Sequence, residues 1–187
     1  MIRWLLLLFL GVLLGAIVHL ITIMILPRTA TQDAYLRLSP IAPINTVVPV
    51  PPPTPDRALM PFMDPAFAGA VCRYDLAQGP VKFSVPVSLA YTSVSFYTRN
   101  DIAFYAINDR AAGRRNIELD LMTTAQRADL PDEEDVTAAD RLIVESPTTT
   151  GLIVIRALAP EPGLMPMARA TIAAAQCRLR SGSNASR

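Results

Sequence analysis

Hydrophobic and polar positions change their spacing along the 187-residue chain, and each change marks a different kind of segment. From Trp4 to Leu26 the sequence reads WLLLLFLGVLLGAIVHLITIMIL, 23 residues without an acid, Lys or Arg. As a helix rising about 1.5 Å per residue, such a run is roughly 34 Å long and crosses a hydrocarbon core of about 30 Å. Pro27 and Arg28 are expected to stop it, and Trp4 suits the headgroup level. A removable signal peptide has a shorter apolar run, about 7–15 residues, and a small-x-small cleavage site. Leu26-Pro27-Arg28-Thr29-Ala30 offers no such site, so residues 1–27 read as an uncleaved transmembrane anchor. Lys and Arg do not separate its two flanks, but a three-residue N-terminal flank is easily left in the cytoplasm, which favours an exported C-terminal body.

Gly11 and Gly15 form a GxxxG within this run, and His19 continues the same face four residues later. Small residues at that spacing let two helix backbones approach, and a polar side chain there can hydrogen-bond across the pair. The plainer reading is that Gly is common in membrane helices. Haem ligation by His19 would need a second ligand that the chain does not visibly provide.

Positions 28–65 are of different material. Ten of the 17 prolines fall between positions 27 and 65, with Val50-Pro51-Pro52-Pro53-Thr54-Pro55 at the centre. Proline has no backbone donor and holds φ near about −65°, so this stretch is expected as an extended polyproline-type stalk. A docking ligand for a proline-reading domain is the alternative.

From about Ala70 the pattern turns to short runs of β-formers between turn residues. Strands are expected at 71–76, 81–85, 91–97, 102–107, 116–122, 142–145 and 152–155. Arg99-Asn100-Asp101 reads as a hairpin turn, and Asn108 to Gly113 as another. Leu152-Ile153-Val154-Ile155 is apolar on both faces and is expected to lie centrally. Thr123 to Asp129 reads as a short helix. Asp132-Glu133-Glu134-Asp135 lacks the spacing and glycine of an EF-hand loop and reads as a solvated loop. After Pro162-Gly163, the positions Leu164, Ala168, Thr171, Ile172, Ala175 and Leu179 repeat at three and four, the pattern of an amphipathic helix. The fold class expected is mainly β, sandwich-like and antiparallel over 66–180, with a C-terminal amphipathic helix, one preceding transmembrane helix and a disordered tail at 181–187.

Composition narrows the chemistry. Hydrophobic residues make up 51% of the chain and charged residues 18%; apart from Arg3, basic and acidic side chains balance at 16 each. That balance argues against a nucleic-acid binder, which needs surplus positive charge to displace counterions. The lone histidine, His19, lies in the apolar run, so no Ser-His or Cys-His pair can be assembled in the body. No phosphate-cradling glycine loop is present, and no metal site, cofactor or catalytic group is expected. Two cysteines, Cys72 and Cys177, have 104 residues between them. In an exported domain they are expected to pair as a disulfide; two buried thiols are the bland alternative.

Met63-Asp64-Pro65-Ala66-Phe67-Ala68, Cys72-Arg73-Tyr74-Asp75-Leu76, Tyr91 to Tyr97 and Asn108-Asp109-Arg110-Ala111 together resemble the small membrane-anchored bacterial proteins of domain-of-unknown-function family 1254. The resemblance covers about residues 60–130. It implies a β-rich fold and an envelope location, and carries no catalytic residue. Longer members of that family continue into a second domain, family 1214, so the resemblance also implies that a separate companion protein supplies it.

The function expected is therefore a single-pass inner-membrane protein that presents a periplasmic domain for binding or assembly with another envelope protein. The rival is an enzyme subunit whose site a companion chain completes, with Asp64, Asp75 and Asp109 as its first residues; each lies beside a turn or strand end, where Asp also serves local hydrogen bonds. A third expectation is a small apolar ligand held between sheet and helix.

Overall fold

The computed structural model describes residues 1–29, 33–54, 56, 58–60, 63–113, 115–130 and 142–180. The chain divides into two compact units, Met1–Asp33 and Ala34–Arg187. The acidic run at 132–135 and the tail at 181–187 lie outside the described residues.

The first unit is one helix, α1 (Ile2–Thr29). Its stretch Ile2–Leu26 has a mean hydropathy of 2.7 and buries none of that surface within the chain. The helix does not stop at Pro27 as expected but runs to Thr29. A proline this near a helix end withdraws one intrahelical hydrogen bond, which is not enough to end the last turn.

The second unit is built on strands: β1 (Val47–Val50), β2 (Phe67–Asp75), β3 (Val81–Pro86), β4 (Thr92–Thr98), β5 (Ala103–Asn108), β6 (Asn116–Thr123), β7 (Leu142–Ser146), β8 (Thr150–Leu158) and β9 (Gln176–Leu179). They form a five-stranded sheet in the order β1-β2-β8-β4-β5 and a four-stranded sheet in the order β7-β6-β3-β9. Pairing is antiparallel throughout the first sheet. In the second, β6 and β7 run parallel, which needs the long connection between them that includes α4 (Thr124–Ala128). β8, apolar on both faces, lies at the centre of its sheet, between β2 and β4.

The sheets face each other across one core, as the alternating burial of β3 and β4 requires. Tyr74, Phe96, Ile153 and Ile155 from one sheet meet Phe83, Ile117, Leu119 and Leu121 from the other. The Phe83 and Phe96 rings stand edge to face with centroids 6.2 Å apart, a favoured arrangement of the ring quadrupoles. Burying side chains of this size contributes about 1.5–3 kcal/mol each.

Two other expectations are corrected. The segment read as an extended stalk over 28–65 is not extended throughout: Ala34–Leu38 forms α2, and Val47–Val50 pairs antiparallel with β2. Tyr35, Leu38 and Ala42, spaced between the prolines, supply enough apolar surface to pack on Val71 and Leu152. Pro49 is tolerated because β1 is an edge strand. At the other end, the amphipathic helix is only Met165–Ala173 (α5), and the chain then turns into β9. Gln176-Cys177-Arg178-Leu179 has a period of two as well as a fit to the helical repeat, and pairing with β3 decides for the strand. The turn at 108–113 contains one helical turn, α3 (Asp109–Ala112), capped by the Asn108 side chain and by Gly113 at φ 60°.

Candidate functional site

The outward face of β8 carries Leu152, Val154 and Arg156, alternating with the core residues Ile153, Ile155 and Ala157. An apolar face on a central strand needs a cover: Tyr35, Leu38 and Ala42 are buried over Val71 and Leu152, with Val48, Val50 and Met60 packed beside them. Two guanidinium groups clasp the Tyr35 ring, Arg73 at 4.4 Å from its centroid and Arg99 at 4.3 Å. Arg73 also donates from Nη1 to the carbonyls of Ser39 and Ala42, each at 3.2 Å. The Ala34 N–H donates to Asp101 Oδ2 at 2.9 Å, and Asp101 sits in the left-handed region with φ 59° at the β4–β5 turn. These contacts hold α2 across the sheet.

The cover is incomplete. It leaves a groove of about 450 Å³ floored by Gly69, Val71, Tyr97, Leu152 and Val154 and walled by Leu38, Val50, Met60 and Met63. Gly69 stands opposite Arg156 in the β2–β8 register, and a side chain there would make only ordinary contacts, the nearest at 3.9 Å. Its missing side chain therefore leaves open space on the floor. Three charged residues also line the groove: Asp64, Asp101 and Arg156. Asp64 and Arg156 are exposed, and among the described residues neither makes an ion pair. Asp64 Oδ1 accepts the Ala66 N–H at 2.9 Å. A groove of this volume, apolar within and charged at its rim, is the shape of a small-molecule site.

Of Asp64, Asp75 and Asp109, only Asp64 reaches the groove. Asp75 closes the far end of β2, roughly 25 Å away at the usual strand rise. Its Oδ1 accepts the Ala77 N–H at 2.8 Å, and its backbone exchanges hydrogen bonds with the Asn45 side chain at 2.9 and 3.1 Å, so it serves a turn. Asp109 opens α3 beyond the edge strand β5; its Oδ1 is buried with no hydrogen-bond partner among the described residues. The register puts three strand spacings between β2 and β5, about 14 Å. The three acids are not brought together.

Cys72 on β2 and Cys177 on β9 are joined by a disulfide, with Cα atoms 6.5 Å apart, so the bond staples the two sheets. Gly11, Gly15 and His19 lie at intervals of four along α1, and a Cβ at either glycine meets nothing within 4 Å in the chain. Arg156, Met60 and Tyr35 were not anticipated as site residues. The signal was present in the two-faced apolar pattern of β8, since an outer face rich in Leu and Val asks for a second layer.

Among solved structures, the chain is similar to the crystal structure of the VPA0106 protein from Vibrio parahaemolyticus, with a TM-score of 0.58 and 15% identity over 78% of this chain and 34% of that one. A protein from Burkholderia cenocepacia described as uncharacterized aligns with a TM-score of 0.46 and 13% identity, over 73% of this chain and 34% of that one. The first likeness supports the fold, and the chain spans about a third of the length of each protein. No curated protein matches it. The model of the family described as "Protein of unknown function (DUF1254)" matches residues 44–179, from just before β1 to the end of β9, and the chain belongs to that family.

Proposed function

We propose that the chain is a single-pass inner-membrane protein that holds its β-rich domain in the periplasm, and that this domain works by assembling with another envelope protein rather than by catalysis of its own. The observation that carries the reading is the apolar stretch Ile2–Leu26, long enough to span a bilayer and unburied within the chain. A disulfide linking the two sheets suits an oxidising compartment outside the cytoplasm. The partner we propose is a family 1214 protein, the domain that accompanies this one in longer members of the family. Gly11, Gly15 and His19 offer α1 a face for pairing with a second membrane helix.

Alkaline carbonate extraction and a C-terminal alkaline phosphatase fusion test the anchor. The protein stays in the membrane pellet with the fusion active; release into the supernatant, or an N-terminus cleaved after the apolar run, overturns it. Chemical crosslinking in intact cells followed by purification tests the assembly, and a strictly monomeric species overturns that part.

The second reading is an enzyme subunit completed by a companion chain. It is favoured by Asp64, the one acid of the three on the groove wall. Asp64→Asn abolishing a cellular phenotype without changing protein level supports this reading over the first.

A further inference from the structure

Asp64 and Arg156 line the same groove, carry opposite charge, and do not neutralise each other through an ion pair. Both are exposed, so they sit toward solvent, while Val71, Leu152 and Val154 give the interior an apolar floor. With the third charged residue, Asp101, engaged by the Ala34 N–H, an apolar interior beneath Asp64 and Arg156, which make no ion pair among the described residues, is complementary to an amphipathic molecule with a zwitterionic head. We infer that the groove binds a single-chain zwitterionic lipid of the lysophospholipid class. Its acyl chain lies along the β2–β8 floor, its phosphate pairs with the Arg156 guanidinium, and its ammonium pairs with the Asp64 carboxylate.

Each feature excludes a neighbouring ligand. A fatty acid would satisfy Arg156 but leave the Asp64 carboxylate on the same groove without a counter-charge from the ligand. A long-chain amine would leave Arg156 without one in the same way. A groove of about 450 Å³ lies in the lower part of the usual range for small-molecule sites, room for one chain rather than two. Arg is suited to phosphate because its planar fork can donate two parallel hydrogen bonds. Asp64 keeps Oδ1 on the Ala66 N–H, so its carboxylate is already oriented and Oδ2 is left for a ligand. Binding in the groove does not rest on the anchor reading.

The test uses the full chain in phosphatidylglycerol nanodiscs doped with lysophosphatidylethanolamine bearing a diazirine in its acyl chain. After irradiation, labelled peptides are mapped by mass spectrometry. Peptides from β2 and β8 are labelled, and labels on α1 report bilayer insertion separately, so failure of the anchor and failure of the groove are distinguishable. Asp64→Asn, which can still accept the Ala66 N–H, and Arg156→Gln each reduce groove labelling about tenfold, the loss expected for one charge-assisted contact. A fatty acid and an alkylamine carrying the same diazirine label the groove as weakly as the variants do. An unlabelled groove, labelling indifferent to both substitutions, or a fatty-acid probe as effective as the zwitterion overturns the assignment.

Discussion

The Tyr74 hydroxyl occupies the space that a side chain on Gly151 would need. The two residues are cross-strand partners in the β2–β8 ladder, and a Cβ built on Gly151 would overlap the Tyr74 hydroxyl oxygen and the Tyr97 carbonyl. The hydroxyl is held there by hydrogen bonds: it donates to the Tyr97 carbonyl at 3.1 Å and lies 2.9 Å from Ser146 Oγ on the opposite sheet. Gly151→Ala therefore displaces a fully buried ring and breaks that bridge. Overpacking together with one or two lost hydrogen bonds costs about 2–4 kcal/mol. Urea denaturation measures it, and a variant within about 0.5 kcal/mol of the parent, the range of neutral surface changes, would show that the ring moves freely.

Tyr74 also makes stability depend on alkaline pH. Burial pushes its hydroxyl above the ordinary value near 10, outweighing the lowering effect of hydrogen bonds from Ser146 and Thr148. The folded state thus holds this proton more tightly than the unfolded chain. Its contribution is fully present below the ordinary value near 10 and is lost as pH rises from there through the folded-state value. Thermal unfolding midpoints taken from pH 8 to pH 11 should fall less steeply in Tyr74→Phe than in the parent. Parallel curves would remove Tyr74 as the source.

Periodicity made the sandwich strands legible because each repeats inward and outward positions with a period of two, as in Val81, Phe83 and Val85 or Val94 and Phe96. It failed where two periods share residues. Ala175 and Leu179 fit a helix and a strand alike, and only the β3 edge, invisible in a linear reading, selects β9. Composition misled between Ala34 and Val50 for a different reason. Proline density there reports missing donors, whereas Tyr35, Leu38 and Val48 report a buried face, and tertiary burial prevailed. The groove was legible only in outline. Asp64 could be chosen as a turn-adjacent acid, but Arg156 needs the β2–β8 register to stand near Gly69 and the groove floor.

The Cys72–Cys177 bond cross-links β2 of one sheet to β9, only four residues long, of the other. Closing a loop of this length is worth about 4–5 kcal/mol in the chain-entropy treatment, with measured values often nearer 2–4 kcal/mol. The double variant Cys72→Ala, Cys177→Ala should lose about 2–5 kcal/mol, and dithiothreitol should destabilise the parent similarly while leaving the variant unchanged. Equal sensitivity of both proteins to the reductant would mean that the cysteines are not paired in solution.

Tyr35→Ala tests whether residues 34–50 belong to the folded body. Its ring lies between the Arg73 and Arg99 guanidinium groups and is 7% exposed, so truncation removes both cation–π contacts and the main apolar anchor of α2. The cost is about 3–5 kcal/mol if the cover and the sandwich unfold together, as for large buried aromatics in cores. The Tyr35, Leu38 and Ala42 cluster, however, packs on the outer face of one sheet, and of residues 34–50 it is Val47 that reaches the core between the sheets. Unfolding should therefore be local. Hydrogen exchange should show 34–50 losing protection while β3, β6 and β8 keep theirs, with the overall midpoint shifting little. Protection at 34–50 that is already absent in the parent would restore the extended stalk. Protection lost together across β3, β6 and β8 would mean that the cover is part of a single cooperative core.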